Sequence, residues 1–128
     1  MAGGNSVIVV VPSERDYCLI EDWLFAEGIE ALPASCLLQA ILQQVAAPAS
    51  VILYDTDTPE SWREALEHFL YLRPASRVVL LSRLADEEMW MQVLDCGGYD
   101  LLMKPFRARE ICSVVRDALR HCSGSAAA

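Results

Sequence analysis

The chain has 128 residues, of which 54% are hydrophobic, and it carries a formal net charge of -8 at pH 7. This length suits one ordinary domain with one sizeable core, and it excludes a second domain. The acidic charge argues against nucleic-acid binding by this domain alone, because that function needs clustered lysine and arginine side chains. No segment approaches the ~20 apolar residues of a membrane helix, so we expect a cytoplasmic protein with no membrane partner.

We predict a single domain over residues 1–128, with a core from about 6 to 121 and flexible ends. Its cysteines are odd in number and form no C-x-x-C pair, which favours buried thiols in a reducing compartment. His68 and His121 have no ligand-like neighbours at metal-binding spacing, so zinc is not expected.

Short apolar runs along the chain predict buried strands. Continuous apolarity indicates burial on both faces, which is typical of a parallel sheet covered by helices, whereas a strand with one wet face would alternate. The runs are at 7–11, 51–54 and 78–81, with weaker ones at 29–33 and 101–103.

Segments with helical spacing of apolar residues separate these runs. They lie at about 15–27, 37–45, 59–72, 86–96 and 107–121, and Gly97-Gly98 is placed to end the fourth. Pro59 suits the first turn of the third helix. Strands that alternate with helices in this way predict an α/β fold with a five-stranded, doubly wound parallel sheet and five helices.

Polar side chains follow three of the predicted strands. In folds of this class, ligands bind beyond the carboxyl ends of the strands, where Asp55, Ser82 and Lys104 are expected to converge. A carboxylate can attack phosphorus while an ammonium and a hydroxyl bind the oxygens of the transferred group. The set therefore suits phosphoryl transfer, for which a divalent cation is usually needed.

The same residues carry a family resemblance. Asp55 has Pro59 four residues later, Ser82 closes the next strand, Gly97-Gly98 follows the fourth helix, and Lys104-Pro105-Phe106 follows the last strand. In this order the chain resembles a response-regulator receiver domain (CheY-like, with a flavodoxin-like receiver fold) from residue 7 to about 119. The resemblance implies that Asp55 is the phosphoacceptor, that Ser82 and Lys104 are its catalytic partners, and that the Lys104–Pro105 bond is cis.

Two departures from the family pattern matter. Receiver domains usually carry adjacent acids after the first strand to hold Mg²⁺, and this chain has Pro12-Ser13 there. Magnesium relies on carboxylates, so we expect weak or absent Mg²⁺ binding, with Asp55, Asp57 and Glu14 as the candidate ligands. The second departure is Leu101, where the family usually has an aromatic switch residue; switching would then use helix or loop shifts, or Tyr99.

The resemblance implies a function in two-component phosphorelay signalling. Asp55 would take a phosphoryl group from a histidine kinase or phosphotransfer protein, and the domain would signal through its fourth helix, last strand and fifth helix. Trp90 and Met89 lie in that interaction face, which could also form a homodimer. The domain would not be an enzyme beyond self-phosphorylation and self-dephosphorylation.

Two alternatives remain at this point. One is a pseudo-receiver, a protein-interaction module that works without phosphorylation, which Pro12-Ser13 and Leu101 favour and the retained Asp55, Ser82 and Lys104 oppose. The other is a flavodoxin-like cofactor binder, which would need a glycine-, serine- or threonine-rich phosphate loop after the first strand. The glycine-free segment 12–16 is a poor loop of that kind.

Overall fold

A computed structural model describes residues 5–127, with side chains as far as His121. Strands and helices alternate along the described chain in the order predicted from the apolar runs. The elements are β1 (Ser6–Val10), α1 (Glu14–Phe25), β2 (Glu30–Ala34), α2 (Leu37–Ala46), β3 (Val51–Asp55), α3 (Trp62–Leu72), β4 (Arg77–Ser82), α4 (Glu87–Asp95), β5 (Asp100–Met103) and α5 (Ala108–Ala127).

The strands form one parallel sheet in the order β2-β1-β3-β4-β5. This arrangement confirms the predicted doubly wound α/β fold. The register pairs Val10 with Tyr54, Asp55 with Leu81, and Ser82 with Met103. The carboxyl ends of β1, β3, β4 and β5 consequently meet at one edge of the sheet, which is where ligands bind in folds of this kind.

The sheet divides the core into two apolar clusters. Val9 and Leu53 point into the cluster that includes α1 and α5, whereas Ile8 and Ile52 point into the cluster that includes α2, α3 and α4. All residues of β1 and of β3 are buried. Burial on both faces is what the unbroken apolar runs predicted, since each face of these central strands is covered by helices.

Helix α3 begins later than the sequence predicted. Its first residue is Trp62, because the side chain of Ser61 accepts a hydrogen bond from the N–H of Arg63 at 3.2 Å and acts as the N-cap. Pro59 lies in the loop before the helix, not in its first turn. The other helix boundaries agree with the apolar pattern to within two residues, except that α5 continues to Ala127 and not only to about 121; α4 ends before Gly97 as expected.

The least apolar strand, β2, lies at the sheet edge, where Pro33 is tolerated because one side of the strand needs no ladder donor. The prediction of buried cysteines is wrong for Cys18 and Cys96, which are exposed, while Cys112 is buried. The side chain of Cys122 lies outside the described residues. Within the described part of the chain, no helix is both long and apolar enough to span a membrane.

Candidate functional site

Asp55 lies at the carboxyl end of β3, and its side chain is fully buried. The loop after it is held by backbone contacts: the N–H of Thr56 donates to the carbonyl of Leu81 at 2.9 Å. The N–H of Asp57 donates to Oδ1 of Asp55 at 2.8 Å, and the hydroxyl of Thr58 donates to the Asp55 carbonyl at 3.0 Å. These bonds fix one carboxylate oxygen of Asp55 and leave Oδ2 facing the sheet edge.

Lys104 reaches this oxygen from the end of β5. Its backbone N–H donates to the carbonyl of Ser82 at 3.0 Å, which anchors the loop on β4, and the Lys104–Pro105 bond is cis as the resemblance implied. Its Nζ lies 2.6 Å from Oδ2 of Asp55, with the lysine side chain only 12% exposed. That oxygen has no well-aligned hydrogen bond of its own, so the contact is an ion pair. The expected juxtaposition of Asp55 and Lys104 is therefore present.

Asp57 and Arg83 extend the ion pair into a network. Nζ of Lys104 lies 2.8 Å from Oδ2 of Asp57, and Nη2 of Arg83 contacts the same oxygen at 3.0 Å. Burial raises the pKa of the Asp55 carboxyl, and the ammonium of Lys104 offsets this in part. The same lysine lowers the pKa of Asp57, with help from Arg83. Burial lowers the pKa of Lys104, but its two carboxylate partners outweigh burial and raise it overall.

Ser82 is buried at the end of β4, one residue beyond the register partner of Asp55. Its Oγ accepts a hydrogen bond from the N–H of Leu84 at 3.1 Å, a bond that does not use the hydroxyl proton. Ser82 thus lies beside the site, where the sequence placed it, but it does not line the open cleft around Asp55. The hydroxyl instead shapes the start of the loop between β4 and α4.

The cleft around Asp55 is open to solvent and has a volume of about 590 Å³. Asp16 lines it, whereas Glu14 was the acid predicted from the sequence. Ser13 caps α1 by accepting from the N–H of Asp16 at 3.2 Å, and this cap sets which first-turn side chain faces the cleft. Glu14 lines a separate cavity with Tyr17 and does not reach Asp55. The residues of the cleft are Pro12, Ser13, Asp16, Asp55, Asp57, Arg83 and Lys104.

The donor set does not fit a divalent cation as it stands. Oxygens of Asp55 and Asp57 already contact the ammonium of Lys104, and Asp57 also contacts Arg83. Pro12-Ser13 add no carboxylate after β1. Among the residues described, no three aspartate, glutamate, histidine or cysteine side chains lie together in a way that could hold a metal ion. Magnesium, which prefers several oxygen ligands at short distances, would have to displace cationic side chains.

The candidate switch and interface residues differ in how far they are buried. Leu101 is buried at 8% exposure in the cluster beneath α4, and Met89 is half-buried against that same cluster. Trp90 is 43% exposed, and its Nε1 donates to Oδ1 of Asp100 at 3.2 Å. Trp90 is therefore an available surface residue, and α4 has two further exposed apolar side chains, Met91 and Leu94.

Tyr99, considered above as a substitute switch, is tied to α5. Its hydroxyl donates to Oδ2 of Asp117 at 2.6 Å and lies 2.6 Å from Nδ1 of His121. Burial and the bond to Asp117 raise the pKa of Tyr99 to about 12. The ring thus links the start of β5 to the carboxyl-terminal helix, and an inward rotation would break these contacts.

Comparison with solved structures identifies the class of fold. A CheY-like response regulator receiver domain from Methanospirillum hungatei JF-1 superposes with a TM-score of 0.85, at 20% identity, over 94% of this chain and 98% of that one. A beryllofluoride-activated NtrC4 receiver domain dimer gives a TM-score of 0.85, at 20% identity, over 92% and 98% of the two chains. The chain therefore has the fold of the receiver domains of response regulators.

Sequence comparison agrees with the structural one. The KDP operon transcriptional regulatory protein KdpE of Escherichia coli is 27% identical over 125 residues, which cover 96% of this chain. The chain spans 55% of the length of that regulator. No protein-family model matches the sequence. The similarity thus covers nearly all of this chain but only part of a longer regulatory protein.

Proposed function

We propose that the chain is a phosphoacceptor receiver domain of a two-component system, with Asp55 as the residue that takes the phosphoryl group. One observation supports this most strongly: the buried carboxylate of Asp55 lies 2.6 Å from the ammonium of Lys104 at the carboxyl edge of the sheet. A pseudo-receiver would have no need to keep a charge pair in a desolvated position, where its cost is high. The geometry therefore favours the phosphorylation-dependent function over the phosphorylation-independent alternative.

The chemistry follows from the positions of these groups. A carboxylate oxygen of Asp55 attacks phosphorus, the bond from phosphorus to the donor nitrogen breaks, and its electron pair leaves with that nitrogen. The product is an acyl phosphate on Asp55. The ammonium of Lys104 shifts from the carboxylate to the new phosphoryl oxygens, whose charge it balances. The hydroxyl of Ser82, whose proton is not used in its bond from the N–H of Leu84, is the proposed donor to the same group.

The partners we propose are a histidine kinase or a phosphotransfer protein as donor, and a second protein or a second copy of the chain as recipient of the signal. The recipient face is formed by α4, β5 and α5, where Trp90 is exposed. We do not propose nucleic acid or membrane as partners of this domain. Magnesium would act at most as a weak cofactor, and the domain would catalyse only its own phosphorylation and dephosphorylation.

We place the protein in the cytoplasm. The four cysteines with described side chains are all unpaired, and two of them are exposed. Exposed free thiols suit a reducing compartment better than an oxidising one.

A labile phosphoryl adduct on Asp55 is the expected result of incubation with phosphoramidate. The nitrogen of this donor is already protonated and leaves as ammonia, so no protein acid is needed. Intact mass should show one added phosphoryl group, lost on treatment with hydroxylamine, and Asp55→Asn should remove the adduct entirely. Asp95→Asn, which changes an acid at the end of α4, is the matched control and should be modified like the unchanged protein.

Two results would contradict the proposal. One is the absence of an adduct on the unchanged protein at saturating donor, with and without Mg²⁺. The other is an adduct that persists in Asp55→Asn, since the phosphoryl group would then be on a different residue.

A further inference from the structure

The cleft holds fixed positive charge where receiver domains are expected to hold a metal ion. Lys104 bridges Asp55 and Asp57, and Arg83, which follows the neighbouring strand β4, contacts Asp57 at 3.0 Å. Three carboxylates and two cationic side chains line the cleft, the third carboxylate being that of Asp16. The acids of the cleft are thus largely neutralised by the chain itself.

A divalent cation in such a site serves to balance charge as the phosphoryl group approaches a carboxylate. Arginine can do this as well, because its guanidinium is always charged and its planar fork matches two oxygens of a phosphate. The side chain of Arg83 is 75% exposed, so little packing resists its movement from Asp57 to an incoming anion. Asp57, at 34% exposure, then remains solvated when Arg83 leaves it.

We propose that Arg83, together with Lys104, replaces the divalent cation, so that Asp55 is phosphorylated without Mg²⁺. This inference rests on the proposed function, and it assigns to Arg83 a binding role for the phosphoryl oxygens. Two features of the chain fit together in this way. Pro12 and Ser13 occupy the positions where acids would recruit a metal ion. Arg83 supplies positive charge on the opposite side of the same cleft.

The test measures the rate of adduct formation from phosphoramidate, in chelator and over a Mg²⁺ titration, for the unchanged protein and three variants. Arg83→Gln should slow the reaction in chelator by at least about tenfold, as expected for loss of one group that stabilises the transferred charge. Arg83→Lys should recover part of the rate, because it keeps the charge but loses the fork. Arg116→Gln is the matched control, since Arg116 also pairs with an acid, Glu27, but lies outside the cleft.

A second measurement does not depend on phosphorylation. Calorimetric titration with Mg²⁺ should show tighter binding to Arg83→Gln than to the unchanged protein, by about tenfold, because a competing cation has been removed from Asp57. Arg116→Gln should bind Mg²⁺ like the unchanged protein.

The outcomes separate this inference from the proposed function. An adduct that forms on Asp55 only with Mg²⁺, at the same rate in Arg83→Gln, overturns the role of Arg83 and leaves the phosphoacceptor intact. Equal Mg²⁺ affinity in Arg83→Gln and the unchanged protein overturns it as well. If no adduct forms under any condition, both proposals fall.

Discussion

Lys104→Met is expected to destabilise the protein by about 3–5 kcal/mol near neutral pH, as does removal of one member of a buried ion pair in general. Methionine keeps most of the apolar stem, so packing changes little. The cost arises because the carboxylate of Asp55, which is fully buried, loses the ammonium 2.6 Å away. Urea unfolding of the two proteins, monitored by tryptophan fluorescence, measures the difference.

The sign of the pH dependence follows from the same contact. Burial already raises the pKa of Asp55, and without Lys104 nothing nearby opposes that effect as strongly. Native Lys104→Met then binds a proton that the unfolded chain does not bind, so its stability falls as pH rises. The limiting slope is about 1.4 kcal/mol per pH unit, and the deficit relative to the unchanged protein should shrink as pH is lowered toward 5.

The double variant Lys104→Met with Asp55→Asn is the control. It leaves no buried charge, so it should recover most of the lost stability and should lack the added pH dependence. A pH profile of Lys104→Met parallel to that of the unchanged protein would contradict the assignment of the cost to Asp55.

The variant Lys104→Met should also accept a phosphoryl group about 10²–10³-fold more slowly than the unchanged protein, measured as the rate of adduct formation.

Gly97→Ala is expected to destabilise the protein by about 2–4 kcal/mol, from two causes that add. Gly97 has φ +95, in the left-handed region where a side chain is strained. A Cβ there would also lie 2.8 Å from Cδ1 of Leu70, which is packed against the core beneath α3 and α4. Urea unfolding again gives the difference in free energy.

Gly28→Ala separates these two causes. Gly28 has φ +76, but a Cβ at that position would meet nothing within 4 Å. Its substitution should therefore cost only the backbone strain, about 1–2 kcal/mol. If Gly97→Ala and Gly28→Ala proved equally destabilising, the contact with Leu70 would contribute nothing to the loss of stability in Gly97→Ala. Such a result would mean that Leu70 moves aside freely.

The fold was predictable because each of its central strands is apolar on both faces. The run 51–54 indicated a buried strand, and this placed its neighbour Asp55 at the edge where strands end. Helix starts were less accessible to prediction. Pro59 indicated a first helical turn, yet Ser61 competes as the N-cap and begins α3 at Trp62.

Within the site, the sequence indicated the three strand-end residues but not the other charged residues that line the cleft with them. Glu14 was the candidate acid from α1, whereas Asp16 is the one in the cleft. The N-cap Ser13 offered a signal, because the residue three positions after a cap faces back toward the loop that precedes the helix. Arg83 was visible only as a residue after Ser82, with nothing to show which way its long side chain would turn.

By itself the sequence determined the order of elements, the parallel sheet and the strand ends from which chemistry could arise, since periodicity and position along the chain suffice for these. Only the tertiary structure decided which charges meet. The ion pairs of Lys104 with Asp55 and with Asp57 join residues 49 and 47 positions apart, and the pair of Arg83 with Asp57 depends on how two loops approach each other. Side-chain direction at a loop is set by contacts between distant segments, and no local pattern of residues records it.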